Sequence, residues 1–177
     1  MGDLFERQMA MYVTYHRDAR NRATHFLGIP AIVFSLIQLS ALVRLPVGEQ
    51  GLSLAVALTV AVWALWVALN RPIGLAMALF LAPCVWLAEW VAATQGPATV
   101  WWVFGATFVG GWALQLWGHV YEGKRPALLS NLFQALIGPM FLVAEIFEHL
   151  GLQKDLRDRV ETIARAREAG MVKAAAE

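Results

Sequence analysis

Trp117-Gly118-His119-Val120-Tyr121-Glu122-Gly123-Lys124-Arg125-Pro126-Ala127 is the stretch where a long apolar run ends and a charged cluster begins. Residues three apart share one face of a helix. A helix continuing through His119 therefore points its imidazole and the Glu122 carboxylate the same way. An imidazole beside a carboxylate suits a divalent first-row metal, and it equally suits a hydrogen bond that orients a metal ligand. A solvated ion pair at a helix end would look the same in sequence. Which reading holds depends on the rest of the chain.

Upstream of this stretch the chain is too apolar for an ordinary soluble domain. Of 177 residues, 59% are hydrophobic and 15% charged, against about a quarter charged in a typical soluble domain. Eight tryptophans, many near the ends of apolar runs, fit an interfacial aromatic belt. The net charge of +1 leaves no basic surplus for nucleic acid. The single cysteine, Cys84, sits beside Pro83 in an apolar run. It reads as a small buried hydrophobe, and it rules out a disulfide framework or a Cys-based zinc site. The N-terminus is polar and charged for over twenty residues, unlike a cleaved signal peptide.

Four apolar runs follow, 27–45, 52–69, 73–94 and 98–118, each close to the roughly 20 residues that cross a bilayer as a helix. The expected fold is all-α, a polytopic membrane protein with about four transmembrane helices. Residues 1–24 space Leu4, Phe5, Met9, Tyr12, Val13 and Tyr15 in a roughly helical pattern among four arginines, which predicts an amphipathic helix at the membrane surface. The fifth apolar stretch, 127–150, carries Asn131, Gln134, Glu145, Glu148 and His149 and is interrupted at Gly138-Pro139. With four spans, every Lys and Arg except Arg44 lies on one side, as the positive-inside rule prefers. A fifth span would carry the basic tail across, so 127–150 is expected to be a re-entrant or interfacial helix–break–helix hairpin. The chain then divides into a membrane-embedded catalytic unit, 1–150, and a charged cytoplasmic helical tail, 151–177. Glu161 and Arg165 make an i,i+4 pair in that tail. No repeat, phosphate loop or nucleophile elbow is present, and Gly105, Gly110 and Gly111 look like small-residue helix packing.

All four histidines, His16, His25, His119 and His149, fall near the same membrane face. So do the polar residues Asn21, Gln115, Glu122, Asn131 and Glu145, and ionisable groups inside apolar segments are functional candidates by default. On a straight helix His16 and His25 would stand about 13 Å apart along the axis and half a turn out of phase, too far for one ion. A shared site therefore needs a bend, and residues 20–29 offer one. Asn21 and Thr24 are capping types, and Gly28-Ile29-Pro30 reads as a helix restart. Neutral imidazoles with a carboxylate or water suit Fe(II), Zn(II) or Mn(II). Tyr12, Tyr15 and Tyr121 are hydrogen-bond donors that also fit the aromatic belt. Arg17, Arg20, Lys124 and Arg125 would draw in an anionic headgroup, although positive-inside bias alone accounts for them.

Two ordered clusters carry a resemblance. Tyr15-His16, Asn21, His25, Gly28 and Pro30 are followed by Trp112, Gln115, Gly118-His119, Glu122, Pro126-Ala127-Leu128, Asn131, Pro139 and Glu145. The pair resembles the 2-hydroxy fatty acid dioxygenase family, small multi-pass membrane proteins related to the fungal endoplasmic-reticulum enzyme of phytosphingosine breakdown. The resemblance covers about 1–150. It implies an Fe(II)-dependent dioxygenase that shortens a 2-hydroxy fatty acid by one carbon, with dioxygen as co-substrate and Zn or Mn as alternatives in purified protein. By motif match it makes His16, His25 and His119 the metal ligands. Glu122 becomes a fourth ligand or a catalytic residue just outside the ligand set. Asn21, Gln115, Asn131, Glu145 and Arg125 become supporting or substrate-binding residues. His149 falls outside the matched pattern.

The competing readings are a membrane metal- or haem-binding protein, which would want histidines inside facing spans, and a small transporter using Gly138-Pro139 and Glu89. Localisation is expected in a bacterial inner membrane with both termini cytoplasmic, with the endoplasmic reticulum as the alternative. A homo-oligomer is compatible with the pattern, and nucleic acid is not an expected partner.

Overall fold

Asn70 shows how this chain cuts its apolar runs into helices. Its backbone N–H donates to the Trp66 carbonyl to end one helix, and its side-chain oxygen accepts from Ile73 N–H to begin the next. Pro72 stands in that first turn, where a missing N–H costs nothing. Ser53 starts the preceding helix by accepting from Ala55 N–H, and Pro97 opens a later one.

The computed structural model describes residues 2–48, 51–124 and 131–176. The order is α1 (Gly2–Thr14), α2 (Ala19–Ala41), β1 (Arg44–Leu45), β2 (Leu52–Ser53), α3 (Leu54–Leu69), α4 (Arg71–Thr94), α5 (Pro97–Glu122), α6 (Gln134–His149) and α7 (Lys154–Ala176). The two short strands pair antiparallel, Arg44 with Ser53. The fold is all-α apart from that pairing.

Antiparallel α2 and α5 form the centre. His25 meets His119 at one end, and Gln38 Nε2 donates to the Val100 carbonyl (2.9 Å) at the other. Their backbones approach closely because glycines face each other. A Cβ on Gly28 would lie 2.9 Å from the Gly111 carbonyl oxygen, and one on Gly111 equally close to the Gly28 oxygen. Of the glycines expected in helix packing, Gly111 does this, while Gly105 and Gly110 would have nothing within 4 Å of an added Cβ. The α3–α4 hairpin packs beside α2, and the Trp66 indole N–H donates to the Leu136 carbonyl of α6 (2.9 Å). Phe5, Met9, Ile73, Met77, Ile137 and Met140 are buried where α1, α4 and α6 meet. Leu156, Val160 and Ala164, four apart on α7, join this core and close the last helix onto α1.

Several expectations are corrected. Among the described residues two helices, α2 and α4, are both long and apolar enough to cross a membrane, not four. At 16 residues α3 spans about 24 Å, short of the roughly 30 Å hydrocarbon core. The 26 residues of α5 are diluted by four tryptophans and four glycines. The N-terminal helix stops at Thr14, not near 24, and turns its apolar face onto α6 and α7 rather than outward alone. The bend between His16 and His25 lies at 15–18, not 20–29. Asp18 is the N-cap of α2, accepting from Arg20 N–H (2.8 Å), and Pro30 lies inside that helix. Between 131 and 150 a single helix runs through Pro139, so the expected break at Gly138-Pro139 does not form. Each proline forfeits one helical hydrogen bond, a loss that dense packing on both sides outweighs. At the end of the bundle away from the histidines, Arg44 pairs with Glu89 (2.5 Å), which gives Glu89 a partner without invoking a permeation path.

Candidate metal centre

The turn at 15–18 is held by side chains from elsewhere. Glu122, at the last turn of α5, accepts from the backbone N–H of Arg17 (3.0 Å) and Asp18 (2.9 Å) and from Asn21 Nδ2 (3.2 Å). Arg22 Nη1 donates to the carbonyls of His16 (3.3 Å) and Arg17 (3.0 Å), and Lys124 Nζ donates to that of Thr14 (2.7 Å). With the backbone groups of the turn satisfied in this way, His16 folds back over the first turns of α2.

There it meets His25 and His119. One ligand nitrogen from each of the three buried imidazoles lies within 4.8 Å of the other two. The rings are close to mutually perpendicular, at 69° to 80°, with centroids 4.5 to 5.1 Å apart. His16 Nδ1 faces the Tyr12 carbonyl at 2.7 Å, and His25 Nδ1 faces the Asn21 carbonyl at 2.9 Å. A carbonyl can only accept, so both Nδ1 atoms carry the proton and both Nε2 atoms present lone pairs. Those two Nε2 atoms stand 3.0 Å apart. Two lone pairs facing each other in a buried site repel unless a cation lies between them. The spacing is also what two ligands about 2.1 Å from a shared ion would leave. His119 Nδ1 is buried with no hydrogen-bond partner among the described residues. On all three counts the residues fit a divalent metal. Burial, reinforced by the neighbouring His25, pushes the His16 imidazole down to about 2, so this side chain is neutral at any physiological pH.

The surroundings divide by polarity. On one side a cavity of about 190 Å³ is bounded by the three histidines, Tyr12, Gln115 and Gln134 at its head and by Ile29, Ile32, Val33 and Leu36 further along. Tyr12 is stacked on His16 (3.9 Å between centroids, 3° between planes). Burial pushes its hydroxyl above the usual tyrosine range. Gln115 is 7% exposed, and its Nε2 has no partner among the described residues. On the other side of His16 lies a wider mouth of about 430 Å³, where Arg17, Arg22, Glu145, His149 and Glu161 stand among apolar side chains such as Met9 and Phe141. Arg22 pairs with Glu145 (3.0 Å), and Arg17 ties α7 to the turn through Glu161 (2.8 Å) and Glu168 (3.0 Å).

The structure brings His16, His25, His119, Asn21, Glu122, Gln115 and Glu145 to this one end. Glu122 grips the turn and makes no hydrogen bond to a histidine ring among the described residues. Asn131 stands apart just before α6, where its side chain accepts from Phe133 N–H and donates to Gln8 Oε1 (2.9 Å). His149 is exposed, its Nδ1 facing the Glu145 carbonyl (2.8 Å), and lies outside the triad. Arg125 lies outside the described residues. Gln134 is not among the expected site residues, and Tyr12 is expected only as a hydrogen-bond donor that also fits the aromatic belt, yet both line the cavity. The signals for them were slight: Tyr12 stands one helical turn before His16, and Gln134 three residues after Asn131.

A family model described as Mpo1-like, 2-hydroxy-palmitic acid dioxygenase Mpo1-like, matches residues 3–150. The chain is 30% identical over 158 residues to the 2-hydroxy-palmitic acid dioxygenase MPO1 of Saccharomyces cerevisiae, over 87% of this chain and 86% of the yeast protein. No solved structure matches. Since the matched segment runs from α1 to the end of α6 and holds all three histidines, the chain belongs to the Mpo1-like family.

Proposed function

We propose that this protein is an Fe(II)-dependent dioxygenase that shortens 2-hydroxy fatty acids by one carbon at a membrane interface. The observation that carries the reading is the pair of unprotonated Nε2 atoms of His16 and His25, 3.0 Å apart in a buried site shared with His119. Membership of a family described by a 2-hydroxy-palmitic acid dioxygenase supplies the substrate class. Iron(II) held by the three imidazoles would supply the redox chemistry that dioxygen requires.

The chain's own groups do the rest. The carbonyls of Tyr12 and Asn21 hold the Nδ1 protons of His16 and His25 and so keep both Nε2 atoms available. Glu122 and Arg22 fix the turn that carries His16. The neutral Tyr12 hydroxyl and the unpartnered Gln115 amide face the cavity and are placed to hold substrate oxygens. The apolar wall beyond them excludes water from the reacting end.

In this reading the α2–α5 bundle is embedded in a bacterial inner membrane, with both termini cytoplasmic. Residues 1–150 are the catalytic unit and 151–177 a cytoplasmic helical segment. The support is an outer surface rich in exposed apolar side chains, among them Leu79 (83% exposed), Trp102 (78%) and Val109 (66%). The Arg44–Glu89 pair sits at the far end, and thirteen of the fourteen Lys and Arg fall on the near side. Oxygen uptake by full-length protein loaded anaerobically with iron(II) tests the activity. 2-Hydroxypalmitate should be consumed with oxygen to give an acid one carbon shorter. Stoichiometric iron with no oxygen uptake on any 2-hydroxy acid would overturn it.

A further inference from the structure

A second cavity, of about 260 Å³, lies beyond the one that holds the histidines, and the two share Val33, Leu36, Ala135 and Pro139 in their walls. We infer that they form one acyl channel, which takes the unbranched chain of a long 2-hydroxy acid, with Ala135 and Leu36 at the neck setting the chain length admitted. The inference rests on the proposed function for the headgroup at the histidines.

Three observations carry the occupant. The path follows one face of α2, because Ile29, Val33, Leu36 and Ser40 recur three and four residues apart. From His25 to Ser40 it runs 15 residues, about 22 Å of helix, which suits an extended long-chain acyl group. The second cavity has no polar group seeking a ligand. Among the described residues, Ser40, Thr59 and the Trp66 indole are the polar groups in its lining, and they present almost no surface to it. The Ser40 hydroxyl donates to the Leu36 carbonyl (2.8 Å). The second cavity also has a fixed inner wall. Trp66 and Leu81 are 2% and 5% exposed, and the Trp66 indole is pinned to the Leu136 carbonyl (2.9 Å). The head, by contrast, holds the histidines, Tyr12 and Gln115. A ligand polar at one end and hydrocarbon for the remainder matches both parts. In a bilayer the chain gains little from leaving lipid, since lipid tails are as apolar as the channel. Length selection therefore comes from steric exclusion at the neck.

Ala135 is exposed at the mouth of α6, so a larger side chain there fills the neck without entering the core. Full-length protein in lipid nanodiscs is loaded with Zn(II), so that no turnover occurs. Displacement of a bound fluorescent long-chain fatty acid is then measured with 2-hydroxy acids of eight and sixteen carbons. Ala135→Trp should weaken the sixteen-carbon acid about tenfold or more, the size of an overpacking penalty, and leave the eight-carbon acid within about twofold. Bound zinc should not change. Leu36→Trp, on the facing wall, should give the same pattern and decides the question if the first variant does not fold. Equal weakening of both acids, or no change in either, overturns the channel. Length-selective binding by an iron-loaded protein that takes up no oxygen would keep the channel and remove the dioxygenase reading. Oxygen uptake on 2-hydroxypalmitate that both variants leave intact would do the reverse.

Discussion

Replacing Glu122 with glutamine tests whether this residue is a clamp or a ligand. The carboxylate accepts from Arg17 N–H through one oxygen and from Asp18 N–H and Asn21 Nδ2 through the other. Glutamine keeps one acceptor oxygen and turns the other into an amide donor that faces a donor. At least one charge-assisted hydrogen bond is lost, about 1.5–3 kcal/mol, and an N–H of the turn loses its partner. A chain of this size moves about 2–4 °C in Tm per kcal/mol. Glu122→Gln should therefore lower Tm by about 3–12 °C in metal-free protein. The turn positions His16, so iron affinity should fall about 10–100-fold without vanishing, the range for a residue that orients ligands. Thermal unfolding and an equilibrium metal titration read the two effects separately. Unchanged Tm and unchanged affinity would refute the clamp. Loss of iron as complete as in His16→Ala would make Glu122 a ligand.

Three further outcomes are expected. A Cβ added at Gly118 would overlap Thr24 Oγ1 and Asn21 Oδ1, so Gly118→Ala should cost about 1–3 kcal/mol and weaken metal binding by moving His119 away from His25; full metal affinity would contradict the helix contact. Metal-free protein should lose stability below pH 6.5. Native His16 titrates at about 2 and the unfolded side chain near 6.5, so between those values only the unfolded state takes up the proton. This residue alone then contributes a slope of up to about 1.4 kcal/mol per pH unit. Unfolding measured between pH 7.5 and 5.5 reads that slope, and a flat profile would contradict the buried neutral imidazole. Single cysteines at Gly48 and Gln95 should both be labelled from outside the membrane, and labelling of only one would rule out the proposed orientation of the bundle.

Local signals carried much of the fold. Apolar runs mark α2 to α5, and the cap at Asn70 with Pro72 after it separates α3 from α4. Charge bias brings the three histidines to one end before any contact is known. What escaped is non-local. A proline at 30 and capping types at 21 and 24 read as a helix start. The true start is Asp18, held by the carboxylate of Glu122 more than a hundred residues later. Pro139 reads as a break until Trp66 and Tyr12 are seen packed around α6. Tyr12 has the composition of a membrane belt residue, and only the fold stacks it on His16. Tail residues Leu156, Val160 and Ala164 keep a helical apolar spacing, yet nothing near them in sequence names α1 as the surface they cover.

The most direct test of the account is the metal content of full-length protein and its four histidine variants, refilled anaerobically with iron(II) and desalted. One ion per chain is expected in the wild type and in His149→Ala, whose ring is exposed and outside the triad. His16→Ala, His25→Ala and His119→Ala should each lose the ion. Equal iron in all five proteins, or loss at His149 comparable to loss at His16, would contradict a metal centre built on the three buried imidazoles.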